Sequence, residues 1–341
     1  MLGKNRRDTV VYVPYPVKGA KINEYISNMV RILQDKYSVI GDLAELTDIL
    51  QMLRTKAVFL NWIETGLNRK MKIQLKLYKL LGAKVIWVFH NKYPHDTTQS
   101  NEIVGNMEWL ARNCSVILIH SKSSRKYIPN AALNIKKAVY LPHILYNSQN
   151  DNMDLECVRT KYGILKEDFV FTIFGNIKPY KNIEQGIAAF QKLHLKNAKL
   201  LMAGPPADGN YARKIKDLCR EDPNIVLDLQ YLPNPILDSI IDISDVIVMP
   251  YKDGSSMNSG VMIQAFSKGK TVIVPDICMA KDLASNRFFY LYRRSLEKVM
   301  LKAYENGKEV NAQMGKMARD YMYKNNNREI VGNRINKILS M

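Results

Sequence analysis

Phe171-Thr-Ile-Phe-Gly-Asn-Ile-Lys-Pro-Tyr-Lys-Asn182 is the stretch from which the fold can be read. Residues 170–174 are β-branched or aromatic, which suits a buried strand, and Gly175 ends the run. Asn182 is a candidate N-cap, and Ile183, Ile187 and Phe190 behind it repeat at helical spacing. The stretch therefore predicts a strand, a tight loop and a helix. Lys178 and Lys181 sit in the loop, so two ammonium groups and the free N–H groups of a helix start meet at one place, which suits a phosphate or diphosphate. The plain alternative is a loop with two solvated lysines.

The same alternation runs outward in both directions. Strands are expected at 9–13, 57–60, 84–89, 116–120 and 139–141 before it, and at 199–203, 225–229, 246–249 and 271–274 after it, with helices between. A second strand near 37–40 and a last one near 288–291 complete the pattern. Alternation of this kind means parallel sheets covered on both faces. At 341 residues the chain suits two α/β domains, 1–150 and 151–320, with a polar, turn-rich linker over 148–167. Residues 321–341 are expected to form a helix returning to the first domain.

The formal charge of +18 favours polyanionic partners. No RNP aromatics, zinc-finger spacing or helix-turn-helix is present, so nucleic acid is not expected as a partner. No apolar run reaches about eighteen residues, and the basic start of the chain lacks a signal-peptide core, so a cytoplasmic location is expected. Cys114, Cys157, Cys219 and Cys278 form no CxxC pair and read as reduced thiols. GxGxxG, GxxxxGK[ST] and GxSxG are all missing from the strand ends, which disfavours a nicotinamide dehydrogenase, a P-loop NTPase and an α/β-hydrolase. What remains is a set of small and polar strand ends in the second half: 175–181, Gly204-Pro-Pro206, Pro250-Tyr251 and Asn258-Ser-Gly260. The last opens a helix, and its small residues let backbone N–H groups approach a phosphate.

These residues resemble the donor domain of GT-B glycosyltransferases, in particular glycosyltransferase family four. That family's Gly-Arg-x-x-x-x-Lys-Gly loop has its spacing in Gly175-Asn-Ile-Lys-Pro-Tyr-Lys181-Asn182. Lys181 falls on the motif lysine; Asn176 replaces the arginine, and Lys178 is the substitute cation. The family's two glutamates, with seven residues between them, correspond to Ser256 and Gln264, so both acids are absent. Residues 269–275 are similar to the family's Gly-x-Pro-Val-Ile stretch. In the first half, Asn61-Trp62 and Val88-Phe-His90-Asn91 with Pro94-His95-Asp96 resemble segments of the form His-Asn-x-x-Pro-His-acid.

The resemblance implies two Rossmann-like domains facing across a cleft. It implies transfer of a sugar from a nucleotide-diphosphate sugar to an acceptor hydroxyl, with no metal and no cofactor. Lys181, Lys178, Asn258, Ser259 and Gly260 are then the diphosphate residues, and Gln264, Gly204 and Tyr251 the nucleotide or ribose residues. His90 would hold the donor sugar or its phosphate, and Asp96 or His95 would be the base if the enzyme inverts. His120 and His143, at other strand ends, read as structural. The acceptor expected by analogy is a lipid-linked glycan or oligosaccharide in bacterial surface-polysaccharide (capsule-type) assembly. The competing readings are a non-catalytic sugar-nucleotide or polyanion binder, and a GT-B epimerase, which the loss of both glutamates disfavours.

Residues 67–81 carry one further signal. Leu67, Met71, Leu75, Tyr78 and Leu81 share a helix face, and Arg69, Lys72, Lys76 and Lys79, joined by Lys70, share another. The stripe is either a solvated face or a contact with an anionic membrane, which would place the protein peripherally on the inner face of the cell membrane.

Overall fold

The computed structural model describes residues 7–15, 23–90, 92, 100–146, 154–252 and 257–341. Its strands are β1 (Thr9–Val13), β2 (Ser38–Ile40), β3 (Thr55–Asn61), β4 (Lys84–Val88), β5 (Val116–Ile119), β6 (Ala138–Tyr140), β7 (Phe169–Phe174), β8 (Ala198–Ala203), β9 (Ile225–Asp228), β10 (Val246–Val248), β11 (Thr271–Pro275) and β12 (Tyr290–Tyr292). Among the described residues they form two six-stranded sheets, ordered β2-β1-β3-β4-β5-β6 and β12-β11-β10-β7-β8-β9. Every strand pairing within them is parallel. The chain divides into two units. The first comprises Met1–Ile144 with Asn326–Met341, and the second Leu145–Asn325.

Strand composition follows from burial on both faces. All six residues of β7 are buried, as are the five of β11, so these strands read as continuous apolar runs and not as alternating ones. Each fully buried Phe, Ile or Val contributes roughly 1.5–3 kcal/mol. The helices between them start at side-chain caps of the expected kind. Asn68 accepts from the N–H of Met71 at 2.9 Å, Asp208 from Tyr211 at 2.8 Å, and Asn327 from Ile330 at 2.9 Å; each such cap is worth about 1 kcal/mol.

Two local expectations fail. The stretch 148–167 is not all linker: Asp154 caps a helix, Leu155–Lys161, whose Val158 joins Tyr162 and Ile164 in the core of the second unit. Three apolar residues among many polar ones were too sparse to show a period. Asn182 stands at the cap position but does not cap with its side chain. Its backbone is left-handed (φ 54°), and its amide donates to Gln185 Oε1. A single 3₁₀ turn, Pro179–Lys181, leads into that helix.

In each sheet the order reverses once, between β1 and β3 and between β7 and β10. Ligands of open α/β sheets bind beyond the strand carboxyl ends at such a reversal. The residues following β7 and β10 are Gly175–Lys181 and Met249–Tyr251; Trp62 follows β3, and His90 lies two residues beyond its neighbour β4.

Candidate functional site

In the second unit the loop after β7 is pinned by three backbone hydrogen bonds. Gly175 N–H donates to Ala203 C=O at 3.0 Å, Ile177 N–H to Pro205 C=O at 2.8 Å, and Ala207 N–H to Ile177 C=O at 2.8 Å. Gly204 makes this possible: its φ is +141°, and a Cβ there would stand 2.3 Å from the Gly175 carbonyl oxygen. Gly175, itself at φ +82°, keeps space for the Lys181 ammonium, since a Cβ would lie 3.3 Å from that nitrogen and 3.5 Å from Val261. The loop after β7, the loop after β8 and the first turn of helix Gly260–Ser267 thus converge at Gly175.

Lys181 is 5% exposed. Its Nζ donates weakly to Phe174 C=O at 3.4 Å and lies 5.8 Å from the Tyr251 ring centroid. No carboxylate pairs with it among the described residues. Burial, helped by the charge of Lys178, pushes its pKa down to about 7. A buried ammonium without a counter-ion is costly, and an anion in its place would remove that cost. Lys178 is exposed. Tyr251 is buried, its ring edge-on to Tyr180 at 6.4 Å, and its hydroxyl lies 3.4 Å from Ser259 Oγ. Ser259 caps helix Gly260–Ser267 by accepting from Met262 N–H at 3.4 Å. Asn258 precedes it, half-buried, and Gly260 is exposed.

Gln264 lies one turn further in, and its amide donates to Asp238 Oδ1 at 3.3 Å. Asp238, buried on helix Asn234–Ile243, was missed from the sequence. It sets a carboxylate beside Gln264, which stands where the resemblance finds a glutamate lost. Nothing in the sequence singled it out, since Asn234 and Asp242 stand one turn to either side of it.

In the first unit His90 is one of three clustered histidines. His90, His120 and His143 follow β4, β5 and β6, and successive ring centroids are 5.6 and 5.0 Å apart. Tyr25 lies 5.1 Å from the first two and 5.0 Å from the third, and Trp62 (φ 48°) stacks on His90 at 4.0 Å. His120 and His143 thus pack with His90 around Tyr25. Burial is the first cause of a lowered pKa in all three: His90 falls well below the usual value, His120 to about 3 and His143 to about 4. All three are neutral at pH 7, and hydrogen bonds fix the tautomers of His120 and His90. His120 Nδ1–H donates to Leu141 C=O at 2.9 Å, so its Nε2 accepts from the Tyr25 hydroxyl at 2.9 Å. Asn61 donates through its amide to Val13 C=O, so its Oδ1 accepts from His90 Nε2–H at 3.1 Å. His90 Nδ1 is then a lone-pair acceptor. Such a group can take a hydroxyl hydrogen but has no proton for a phosphate oxygen. His95 and Asp96 lie outside the described residues.

Two parallel sheets of this order, with Gly-rich strand ends converging on a buried lysine, define a GT-B fold. A crystal structure of Anabaena HepE in complex with UDP-glucose superposes at TM-score 0.76, with 11% identity over 97% of this chain and 99% of that one. Sucrose-phosphate synthase from Thermosynechococcus elongatus gives 0.69 at 12% identity, over 97% and 98%. Residues 156–321, which lie within the second unit, match the family described as Glycosyl transferases group 1. A GDP-mannose:glycolipid 4-beta-D-mannosyltransferase of Xanthomonas campestris pv. campestris is 25% identical over 206 residues, 60% of this chain and 52% of that protein. The chain thus matches only about half the length of the curated relatives.

Proposed function

We propose that the chain is a glycosyltransferase that moves a hexosyl group from a nucleoside-diphosphate sugar to the hydroxyl of a glycolipid or oligosaccharide acceptor. The observation that carries this reading is the buried Lys181 ammonium at the meeting point of two loops and a helix start. In the reaction the bond from the sugar's C1 to the phosphate oxygen breaks, and a bond from C1 to the acceptor oxygen forms. The acceptor proton leaves to a base or to the departing phosphate. Negative charge grows on the diphosphate, where Lys181, Lys178, Ser259 and the N–H groups at 258–260 stabilise it. Tyr251, Gly204 and Gln264, the last backed by Asp238, form the nucleotide end. His90 Nδ1 accepts from a sugar hydroxyl. Should the reaction invert, His95 or Asp96 supplies the base.

The test is release of nucleoside diphosphate from GDP- and UDP-hexoses in chelator, with and without a glycolipid acceptor. Slow hydrolysis alone and faster turnover with acceptor are expected. Strict dependence on manganese or magnesium would overturn the assignment of the phosphate charge to lysines. Tight binding with no turnover would favour the non-catalytic reading.

We also infer that the protein works at the inner face of the cell membrane, in surface-polysaccharide assembly. No helix among the described residues is long and apolar enough to cross a bilayer. Helix Arg69–Leu80 offers surface attachment instead, though with fewer unpaired cations than its sequence promised. Lys70 pairs with Glu45 at 2.7 Å, Lys79 donates to Asn113 C=O at 2.9 Å, and Lys72 lies over Trp109. Arg69 and Lys76 remain, in line with Ile73 and Leu80, which are 45% and 81% exposed. A hollow of about 260 Å³, lined in part by Leu75, Leu80 and Trp109, adjoins them. Apolar side chains among cations suit an interface of acyl chains and anionic headgroups, at roughly 1 kcal/mol per cation. Co-sedimentation should require anionic vesicles, weaken in high salt, and drop when Arg69, Lys72, Lys76 and Lys79 become Gln or when Ile73 and Leu80 become Ser. Equal binding to neutral vesicles would make the helix an ordinary solvated face.

A further inference from the structure

Two neighbouring strands of the first unit end in the same pattern. β4 runs into His90-Asn91-Lys92 and β5 into His120-Ser121-Lys122. Val88 is opposite Leu118 in the parallel register, so the two histidines follow side by side and the two lysines come two residues after each. The lysines do not simply trail into solvent. Lys92 Nζ stands 4.2 Å from the centroid of Tyr127, and Lys122 Nζ 5.6 Å from that of Tyr140. Each half-buried ring takes a second cation: Lys126 lies 5.1 Å from Tyr127, and the Arg334 guanidinium 5.6 Å from Tyr140. Four cations are therefore held on two tyrosines at the carboxyl edge of one sheet. A ring's negative face attracts each cation but does not cancel the repulsion between two that share it. Neither Lys126 nor Arg334 forms an ion pair among the described residues.

The histidines behind this rim are neutral and contribute no charge. The strand ends thus separate into an uncharged floor, where His90 Nδ1 is the acceptor left for a hydroxyl, and a cationic rim, suited to tetrahedral oxyanions. We propose that Lys92, Lys122, Lys126 and Arg334 bind the phosphate of a phosphorylated acceptor, a glycosyl phosphate or diphosphate whose sugar lies on the histidine floor. This rests on the transferase reading above but uses residues of the first unit only.

Inorganic pyrophosphate is the probe, titrated calorimetrically alongside GDP and UDP. The wild type should show a pyrophosphate site that survives Lys181→Ala. Its affinity should fall tenfold or more in Lys92→Gln/Lys122→Gln, recover in Lys92→Arg/Lys122→Arg, and fall again in Lys126→Gln/Arg334→Gln. Nucleoside-diphosphate binding by the glutamine variants should stay within twofold of wild type. Pyrophosphate binding that vanishes with Lys181→Ala, or that ignores the glutamine changes, overturns the proposal. Failure of GDP and UDP to bind the wild type would strike the donor site alone. If the glutamine variant loses only its binding to phosphatidylglycerol vesicles, and titrates pyrophosphate like wild type, the rim meets membrane headgroups and the proposal fails.

Discussion

Replacing Lys181 by Ala is expected to slow transfer a hundredfold or more. The ammonium is buried, has no carboxylate partner among the described residues and sits where the leaving diphosphate gathers charge. Loss of one such donor removes about 3–4 kcal/mol of transition-state stabilisation. The pH dependence separates this role from a structural one. Burial holds the free lysine's pKa at about 7, so at pH 8 most free protein carries a neutral amine. A bound diphosphate favours the ammonium, so binding takes up a proton above that pH. Nucleoside-diphosphate affinity should therefore weaken by up to about tenfold per pH unit above about 7, and the variant should lose this slope. The sign for folding follows from the same shift. The lysine is more readily protonated unfolded than folded, so it costs the free fold most below pH 7 and progressively less towards its ordinary range. The variant should melt no lower than wild type at neutral pH while its rate collapses. Near-normal turnover of Lys181→Ala would remove the main support for the site.

The second large effect is expected from Gly204→Ala. The backbone there, at φ +141°, is one that side chains rarely adopt, and the new methyl would lie 2.3 Å from the Gly175 carbonyl oxygen. Strain alone costs roughly 1–3 kcal/mol. The larger consequence is displacement of the loop after β7, and with it Lys181. Denaturant melts should show the loss of stability, and GDP or UDP titration a loss of affinity of at least tenfold. Gly209→Ala is the control, because nothing lies within 4 Å of a Cβ at that helix start. Equal effects at the two positions would mean that the close approach of the two loops is not what shapes the site.

What could be read from the chain was what periodicity and local chemistry encode. Buried parallel strands are apolar throughout, so β4, β7 and β11 announced themselves, and the Gly175–Lys181 spacing marked the phosphate loop. Burial of Lys181 was not legible, because it depends on Gly175, Gly204 and Val261 arriving from three separate elements. Nor was the histidine cluster, since positions 90, 120 and 143 have no common spacing and meet only through the parallel register of β4, β5 and β6. Asp238 escaped for the same reason: its relation to Gln264 is made by packing between helices. The stripe on Arg69–Leu80 was seen as charge, whereas its exposed Ile73 and Leu80 depend on which face the domain covers.

The first unit is discontinuous in the chain, and this bears on how the protein is made. Helix Arg328–Ser340 buries Val331, Ile335, Ile338 and Leu339, sets Gly332 against Ile32, and accepts a hydrogen bond from Lys84 at the Ile338 carbonyl. Asn326, just before it, donates to the backbone oxygen of His143 at 2.8 Å. On the ribosome, residues 1–144 therefore emerge without the segment that closes their sheet and steadies the end of β6. At about 5–20 residues per second, the wait through the second unit lasts roughly 10–40 s. The second unit, continuous from Leu145 to Asn325, is free to fold during that interval. The unit begun first can therefore be completed only after the second has been made. The histidine floor, encoded early, is finished last.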